Sequence, residues 1–316
     1  MADRADGTLQ AGAQPSFFAR ILSRWRRDDG DHGAAAAAAE SDHRAASVPP
    51  LDSLAIRQWL WGPGFHIPGD AEYVLNLVKP FAANPATGLL DVAAGLGGLA
   101  RLMAEEFGAY VSGLERDPEL VRRGMEMSVA AGKSKQAAIY PMDPEAFELK
   151  PGSFDCIIGR DATYMVRDKE RFLRVLILGL KPEGKLLLTD YVVEPSQAQR
   201  PELAAWAALQ PYKPTLWNLQ QYVDCLKSLG CDDRGAVDIT AEVKAQIILG
   251  WYKLLQTVAI KQLPRPHQLA LLDEAERWVK TIVTLDSGAL KAYRFLAVAG
   301  RAPVSSIRKS ATPAST

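Results

Sequence analysis

The sequence predicts an α/β protein: a doubly wound, mostly parallel sheet with helices on both faces. Three observations carry this. From residue 71 onward, short apolar strand candidates alternate with amphipathic helical segments, the pattern of strands joined by crossover helices. The first strand candidate runs directly into a glycine-rich turn that opens a helix. Two of the helical segments stop at Gly108 and Gly132, residues suited to the left-handed conformation that closes a helix.

Taken in order, residues 1–48 stand apart. An alanine run at 34–39 lies among Gly, Asp, Ser and Arg with little to bury, a composition that predicts disorder. Within it, residues 16–27 place Phe17, Phe18, Ile21, Leu22 and Trp25 on one helical face and Arg20, Arg24 and Arg27 around the other. Such a short basic amphipathic helix suits an anionic membrane or a protein partner, and equally a helix packed back on its own domain. The globular domain is expected over 49–301, with 302–316 an unstructured tail. Its first segment, with Leu54, Ile56, Trp59, Leu60 and Trp61, meets a Gly-Pro-Gly-Phe-His-Ile-Pro-Gly turn at 62–69 that breaks any helix. Residues 71–81 read as a helix. Strands are expected at 88–92, 110–114, 137–140, 154–158 and 185–193, with helices at 99–107, 118–131 and 169–180 between them. Residues 196–285 are richer in helix (219–229, 241–261 and 268–284) and read as a helical lid or insertion. A last strand at 292–299 returns to the sheet.

Composition narrows the function. The 37 Lys and Arg balance the 37 Asp and Glu, so no global field favours nucleic acid or another polyanion. Three scattered cysteines, Cys156, Cys225 and Cys231, make neither a disulfide framework nor a Cys-rich zinc site; a reducing, cytoplasmic setting without a metal is expected. No apolar run reaches the roughly 18 residues of a membrane span.

The sharpest feature is Leu89-Leu90-Asp91-Val92-Ala93-Ala94-Gly95-Leu96-Gly97-Gly98-Leu99-Ala100. Glycines at such a turn let a ligand approach the backbone. The segment also satisfies the dinucleotide pattern G-x-G-x-x-G/A, which keeps NAD or FAD oxidoreductase chemistry open. Asp91 weighs the other way. A carboxylate beside the turn repels a pyrophosphate and suits a cationic ligand, such as the ammonium and sulfonium of S-adenosylmethionine. Glu115, at the end of the next strand, is placed to accept from ribose hydroxyls, as an acid does in either cofactor class. Asp143, at the end of the third, reads either as a partner of an adenine amino group or as the cap of a turn at Pro144-Glu145-Ala146.

Asp91, Gly95, Gly97, Glu115 and Asp143 sit at successive strand ends, where doubly wound folds bind ligands. Together they resemble the class I S-adenosylmethionine-dependent methyltransferases over roughly residues 50–300. The resemblance implies a seven-stranded Rossmann-like sheet with an antiparallel last strand. It also implies S-adenosyl-L-methionine as cofactor, held by Asp91, Ala93, Gly95, Gly97, Glu115, Arg116, Asp143 and Pro144.

Arg160-Asp161-Ala162 after the fourth strand, Thr189-Asp190-Tyr191 on the fifth and the 62–69 turn are similar to stretches of the phosphoethanolamine N-methyltransferases. That resemblance puts Arg160 near the cofactor and Asp161, a candidate catalytic residue, near the substrate amine, where a carboxylate orients the nitrogen and stabilises its growing charge. Asp161 also suits a cap after the strand. The chain departs from that family at Met165, where the family carries a catalytic histidine. Residues 45–60 hold no tyrosine, with Pro49 at the expected place of the family's lid tyrosine. Tyr212-Lys213-Pro214 only faintly echoes the phosphate-gripping segment. His66 is the candidate replacement base, the other reading being a solvated loop histidine, and Tyr164, Tyr191 and Trp217 are candidate walls of the acceptor pocket, although core packing is the commoner role of such a residue taken singly. The expected function is methyl transfer to a small-molecule or lipid-headgroup acceptor, at nitrogen. A non-catalytic S-adenosylmethionine-binding interaction protein is the other reading, while nucleic-acid methylation lacks its Asn/Asp-Pro-Pro-Tyr run and basic surface.

Overall fold

A computed structural model of the chain describes residues 52–301. The basic amphipathic helix expected at 16–27 and the tail expected from 302 lie outside the described residues. Seven strands form one sheet: β1 (Gly88–Asp91), β2 (Tyr110–Glu115), β3 (Ala137–Pro141), β4 (Phe154–Arg160), β5 (Leu180–Val193), β6 (Asp232–Asp238) and β7 (Leu290–Val298). Their order is β3-β2-β1-β4-β5-β7-β6. The first five pair in parallel, and β7 runs antiparallel to both β5 and β6. The α-helices are α1 (Ser53–Trp61), α2 (Ala71–Val78), α3 (Gly98–Glu106), α4 (Pro118–Ala130), α5 (Lys169–Gly179), α6 (Pro201–Ala207), α7 (Leu219–Ser228), α8 (Thr240–Thr257) and α9 (Arg265–Asp286).

The strand sequences explain the layering. Leu89-Leu90, Cys156-Ile157-Ile158 and Leu186-Leu187-Leu188 are unbroken apolar runs, buried throughout, as central strands covered on both faces require. Alternate residues Leu90, Ile157, Leu186 and Leu188 share one core with Leu173 and Leu176 of α5 and Tyr222 and Leu226 of α7. Helix starts follow the acids and amides that precede them. Asp117 accepts from the amides of Glu119 (2.8 Å) and Leu120 (3.3 Å) ahead of α4, and Asn218 and Gln221 form a reciprocal capping box on α7. Gly108 and Gly132 both take φ +66°, the left-handed caps that the sequence implies.

Four local expectations are corrected. The helix expected at 71–81 ends at Val78 and tightens to a 3₁₀ turn at Lys79–Phe81, because Pro80 has no amide hydrogen to continue it. The helix expected at 241–261 spans Thr240–Thr257. The one expected at 268–284 begins earlier, at Arg265, with Pro266 in its first turn, where proline is tolerated. Residues 196–285 are not helical throughout, since β6 falls inside them. Among the described residues that strand pairs with β7 alone, and it reads Asp-Asp-Arg-Gly-Ala-Val-Asp, so it carries none of the apolar alternation of a half-buried strand. Among the described residues no helix is long and apolar enough to cross a membrane.

Successive parallel connections leave β1 toward β2 on one side and return to β4 on the other. The crevice at the carboxyl ends of β1, β2 and β4 is therefore the topological switch point, the general ligand position of this architecture. Helices α1, α6, α8 and α9 pack on one another, and α1 and α9 supply residues to the wall of that crevice.

Candidate functional site

Three strand ends deliver carboxylates to the crevice. Asp91 ends β1, is 2% exposed and accepts one long hydrogen bond, from the Ala93 amide at 3.4 Å. No cation pairs with it in direct contact among the described residues. Burial pushes its carboxyl up to about 7, against the pull of Arg160. Glu115 ends β2 and is engaged on both oxygens: Oε2 accepts from the Gly95 amide and Oε1 from the Asp117 amide, each at 2.9 Å. Burial raises its pKa as well. Asp161 follows β4 in the left-handed region at φ +51°, a conformation that costs a non-glycine residue free energy and persists only where neighbours enforce it. Thr189 of β5 is that neighbour, accepting the Asp161 amide at 2.8 Å through its carbonyl. Burial at the base of the cleft raises the Asp161 pKa.

The glycine loop adopts φ +54° at Gly95 and φ +75° at Gly97, conformations that side chains rarely take. What comes close to it is the 62–69 turn, which crosses the loop as a strap. The Gly98 amide, the first donor of α3, is taken by the Gly64 carbonyl at 3.0 Å, and a Cβ at Gly98 would lie 2.5 Å from that oxygen. The strap is tied by the Gly64 amide to Gln58 Oε1 at 2.9 Å and by Arg160 Nη2 to the Pro68 carbonyl at 2.5 Å. His66 rides on it with its ring against Gly95, where a Cβ would come within 1.9 Å of His66 Cε1. Burial, with Arg57 and Arg160 nearby, pushes the imidazole down to about 3; such a ring is neutral and serves as a hydrogen-bonding group.

The rim beside Glu115 is apolar. Leu120, Met142, Pro144 and Phe172 line it, together with Ala93. Asp143 is exposed and is not among the lining residues; its Oδ1 accepts from the Glu145 amide at 2.9 Å, the turn-capping alternative of the two read from the sequence. Arg116 bridges the mouth, its guanidinium 3.4 Å from the centroid of the Tyr212 ring.

Across the cleft, Tyr164, Tyr191 and Trp206 form a buried aromatic group with ring centroids 5.4 to 5.6 Å apart. Met165 lies beside them. Trp217 does not join this wall. It packs edge-on against Tyr222 at 5.2 Å, on the core beneath α7. Burial drives the Tyr164 hydroxyl far above its usual pKa, so it stays protonated and donates to Gln210 Oε1 at 3.0 Å. Arg57 of α1 and Arg277 of α9 also line the wall. Both face the carboxylate of Glu274, Arg57 Nε at 3.0 Å and Arg277 Nε at 3.8 Å, and Trp278 Nε1 donates to the same carboxylate at 2.8 Å. Two guanidinium groups sharing one carboxylate leave a net positive charge. Arg277 Nε has no hydrogen-bond partner among the described residues.

Sequence reasoning missed Asp190, whose carboxylate accepts from the amides of Thr163 (2.9 Å), Tyr164 (3.1 Å) and Tyr191 (2.8 Å) and from the Tyr222 hydroxyl (3.1 Å). Burial and the neighbouring Asp161 push it up to about 7. Its signal was available: an acid inside the run Leu186-Leu187-Leu188-Thr189-Asp190-Tyr191 must find buried donors. Arg57, Trp206, Gln210, Glu274 and Arg277 gave no comparable signal, because they converge only through the packing of separate helices and the loop after α6.

A family model described as a methyltransferase domain matches residues 70–234. Phosphoethanolamine N-methyltransferase 2 of Caenorhabditis elegans is 30% identical over 135 residues, 42% of this chain and 31% of that protein. Phosphoethanolamine N-methyltransferase 1 of Arabidopsis thaliana is 29% identical over 181 residues, 57% of this chain and 36% of that protein. This chain thus spans about a third of the length of these relatives. A solved structure of phosphoethanolamine N-methyltransferase 2 from Haemonchus contortus, in complex with phosphomonomethylethanolamine and S-adenosylhomocysteine, superposes with a TM-score of 0.70 at 23% identity, covering 78% of this chain and 57% of that one. With the family match spanning more than half of its residues, the chain belongs to the methyltransferase-domain family.

Proposed function

We propose that this protein transfers the methyl group of S-adenosylmethionine to the nitrogen of a small amine, free or as a lipid headgroup, that also carries an anionic group. The observation that carries the cofactor half is Asp91: a buried carboxylate without a cation in contact among the described residues stabilises a ligand that brings a positive charge. The strap supports the same choice over a dinucleotide. A pyrophosphate sits at a helix N-terminus, and here the first donor of α3 is already bonded to Gly64.

The residues present fit that cofactor. Asp91 would hold its ammonium, Glu115 has oxygen lone pairs left for ribose hydroxyls, and Leu120, Met142 and Pro144 offer an apolar slot for a base. When bound, the cofactor supplies an electrophilic methyl on a sulfonium. Asp161 orients the acceptor amine and, with its pKa raised, is suited to take the proton that the nitrogen loses. Tyr164, Tyr191 and Trp206 face the nitrogen side with aromatic surface, which stabilises a methylated ammonium. Arg277 and Arg57 receive the anionic end. Phosphomonomethylethanolamine, the amine bound in the Haemonchus contortus structure, has that two-ended character. Positioning alone supplies much of the rate for so reactive a donor, so a methionine at position 165 is compatible with catalysis.

Calorimetry with S-adenosylhomocysteine and with NAD tests the cofactor half. Binding of the first and not the second is expected; the reverse overturns the reading. Transfer of labelled methyl to a panel of amines with and without a phosphate or carboxylate tests the acceptor half.

A further inference from the structure

We propose that His66 is a cofactor-binding residue, its ring completing the pocket for the amino-acid end of the ligand over the glycine loop. The inference rests on the S-adenosylmethionine reading above and assigns a group that neither the strand-end acids nor the loop amides supply. His66 lines both the main cleft and a smaller pocket beneath the strap, and Asp91, Ala93 and Arg160 line that smaller pocket with it.

The ring is held where it is. Gly64 on one side of it is bonded to Gly98, and Pro68 on the other is bonded to Arg160. The ring packs against Gly95, at a position that any larger residue would fill with its own Cβ. The glycine therefore serves the ring as well as the turn.

The charges around it define what it can bind. Arg57 and Arg160 lie on the cationic side, and Asp91 on the anionic side of the same small pocket. A neutral imidazole adds one donor and one acceptor. A ligand whose ammonium and carboxylate sit on one carbon matches this set: the ammonium toward Asp91, the carboxylate toward Arg160 and the imidazole N–H.

Calorimetry on the full chain tests it, using S-adenosylhomocysteine as the probe. His66→Ala should weaken binding about tenfold, the loss expected for one hydrogen bond worth roughly 1.4 kcal/mol, and His66→Gln should recover most of it. Unchanged affinity in His66→Ala overturns the inference. So does tighter binding, which would make the ring a plug rather than a contact. Failure of the wild-type chain to bind the probe would instead overturn the cofactor reading itself. Should His66→Ala not fold, imidazole ¹⁵N spectra of the wild-type chain keep the test open. The ring signals absent from the His66→Gln spectrum should shift at saturating probe, and no shift overturns the inference.

Discussion

Thr189 holds Asp161 from the neighbouring strand through two atoms: its carbonyl accepts the Asp161 amide at 2.8 Å, and its hydroxyl donates to Asp161 Oδ1 at 3.1 Å. The backbone at φ +51° is thus fixed from the side, and the carboxylate is aimed into the crevice rather than left to rotate. Replacing the hydroxyl by a methyl in Thr189→Val removes its bond to Asp161 Oδ1 at 3.1 Å and its longer contact with the Asp161 amide at 3.3 Å, a loss of about 1 kcal/mol, and loosens that aim. With the preferred acceptor, kcat should fall about tenfold, because small misplacements of a reacting pair are costly. S-adenosylhomocysteine affinity should not change, as checked by calorimetry. Asp161→Asn should lose at least a further tenfold in kcat with the same binding control.

Asp91 links cofactor affinity to pH. Its folded pKa near 7 lies above the 3.8 of an ordinary aspartate, so the folded state holds the proton more tightly than the unfolded state. The ligand-free protein is therefore favoured as pH falls from about 7 toward 4, and it loses that stabilisation as pH rises through 7. Asp190 acts in the same direction. Asp91→Asn should melt at a higher temperature than wild type at pH 8, with the difference shrinking as pH falls through 7 and vanishing only below about pH 4. Binding of S-adenosylhomocysteine to wild type should weaken as pH drops below about 7. In Asp91→Asn it should be at least tenfold weaker and flat with pH.

Asp190 predicts a stability effect without a ligand. Asp190→Ala strips an acceptor from three backbone amides and from the Tyr222 hydroxyl, leaving buried donors unsatisfied. The expected loss is about 3 kcal/mol or more, read from urea midpoints. Tyr222→Phe removes one of those bonds and should cost about 1 kcal/mol.

Arg277 separates acceptor recognition from cofactor binding. Arg277→Ala should raise KM at least tenfold for an amine that carries a phosphate or carboxylate. A neutral amine of similar size should be nearly unaffected, and so should S-adenosylhomocysteine affinity. Equal effects on charged and neutral acceptors would count against the anionic-group assignment.

The cofactor half of the crevice was legible because its residues lie at fixed places relative to their own strands. Asp91 and Glu115 each close an apolar run, and Gly95 and Gly97 occupy a turn whose backbone excludes other residues. The acceptor half was not legible for the same physical reason reversed. Trp206, Gln210 and Arg277 belong to a loop and to helices whose sequence periodicity reports only burial, and their convergence depends on how those helices stack. Trp217 shows the ambiguity well. An aromatic residue just before α7 suits a core more often than a pocket, and Tyr222 five residues on supplies the core partner. Strand β6 was hidden because an edge strand paired on one side needs little apolar sequence.

The bond between Gly64 and Gly98 bears on how the site comes into being. The strap precedes β1 in the chain and the glycine loop follows it, so on the ribosome the roof is made before the floor. The wall is made last, with Arg277 on the helix just before the final strand. A growing chain therefore carries Asp91, Glu115 and the glycine loop well before Asp190 can set the 161–165 segment or α9 can close the far side. The last residues that line the crevice, Arg277, Trp278 and Thr281, lie on α9. The family match at 70–234 stops short of crevice-lining residues on both sides, Arg57 before it and Arg277 after it.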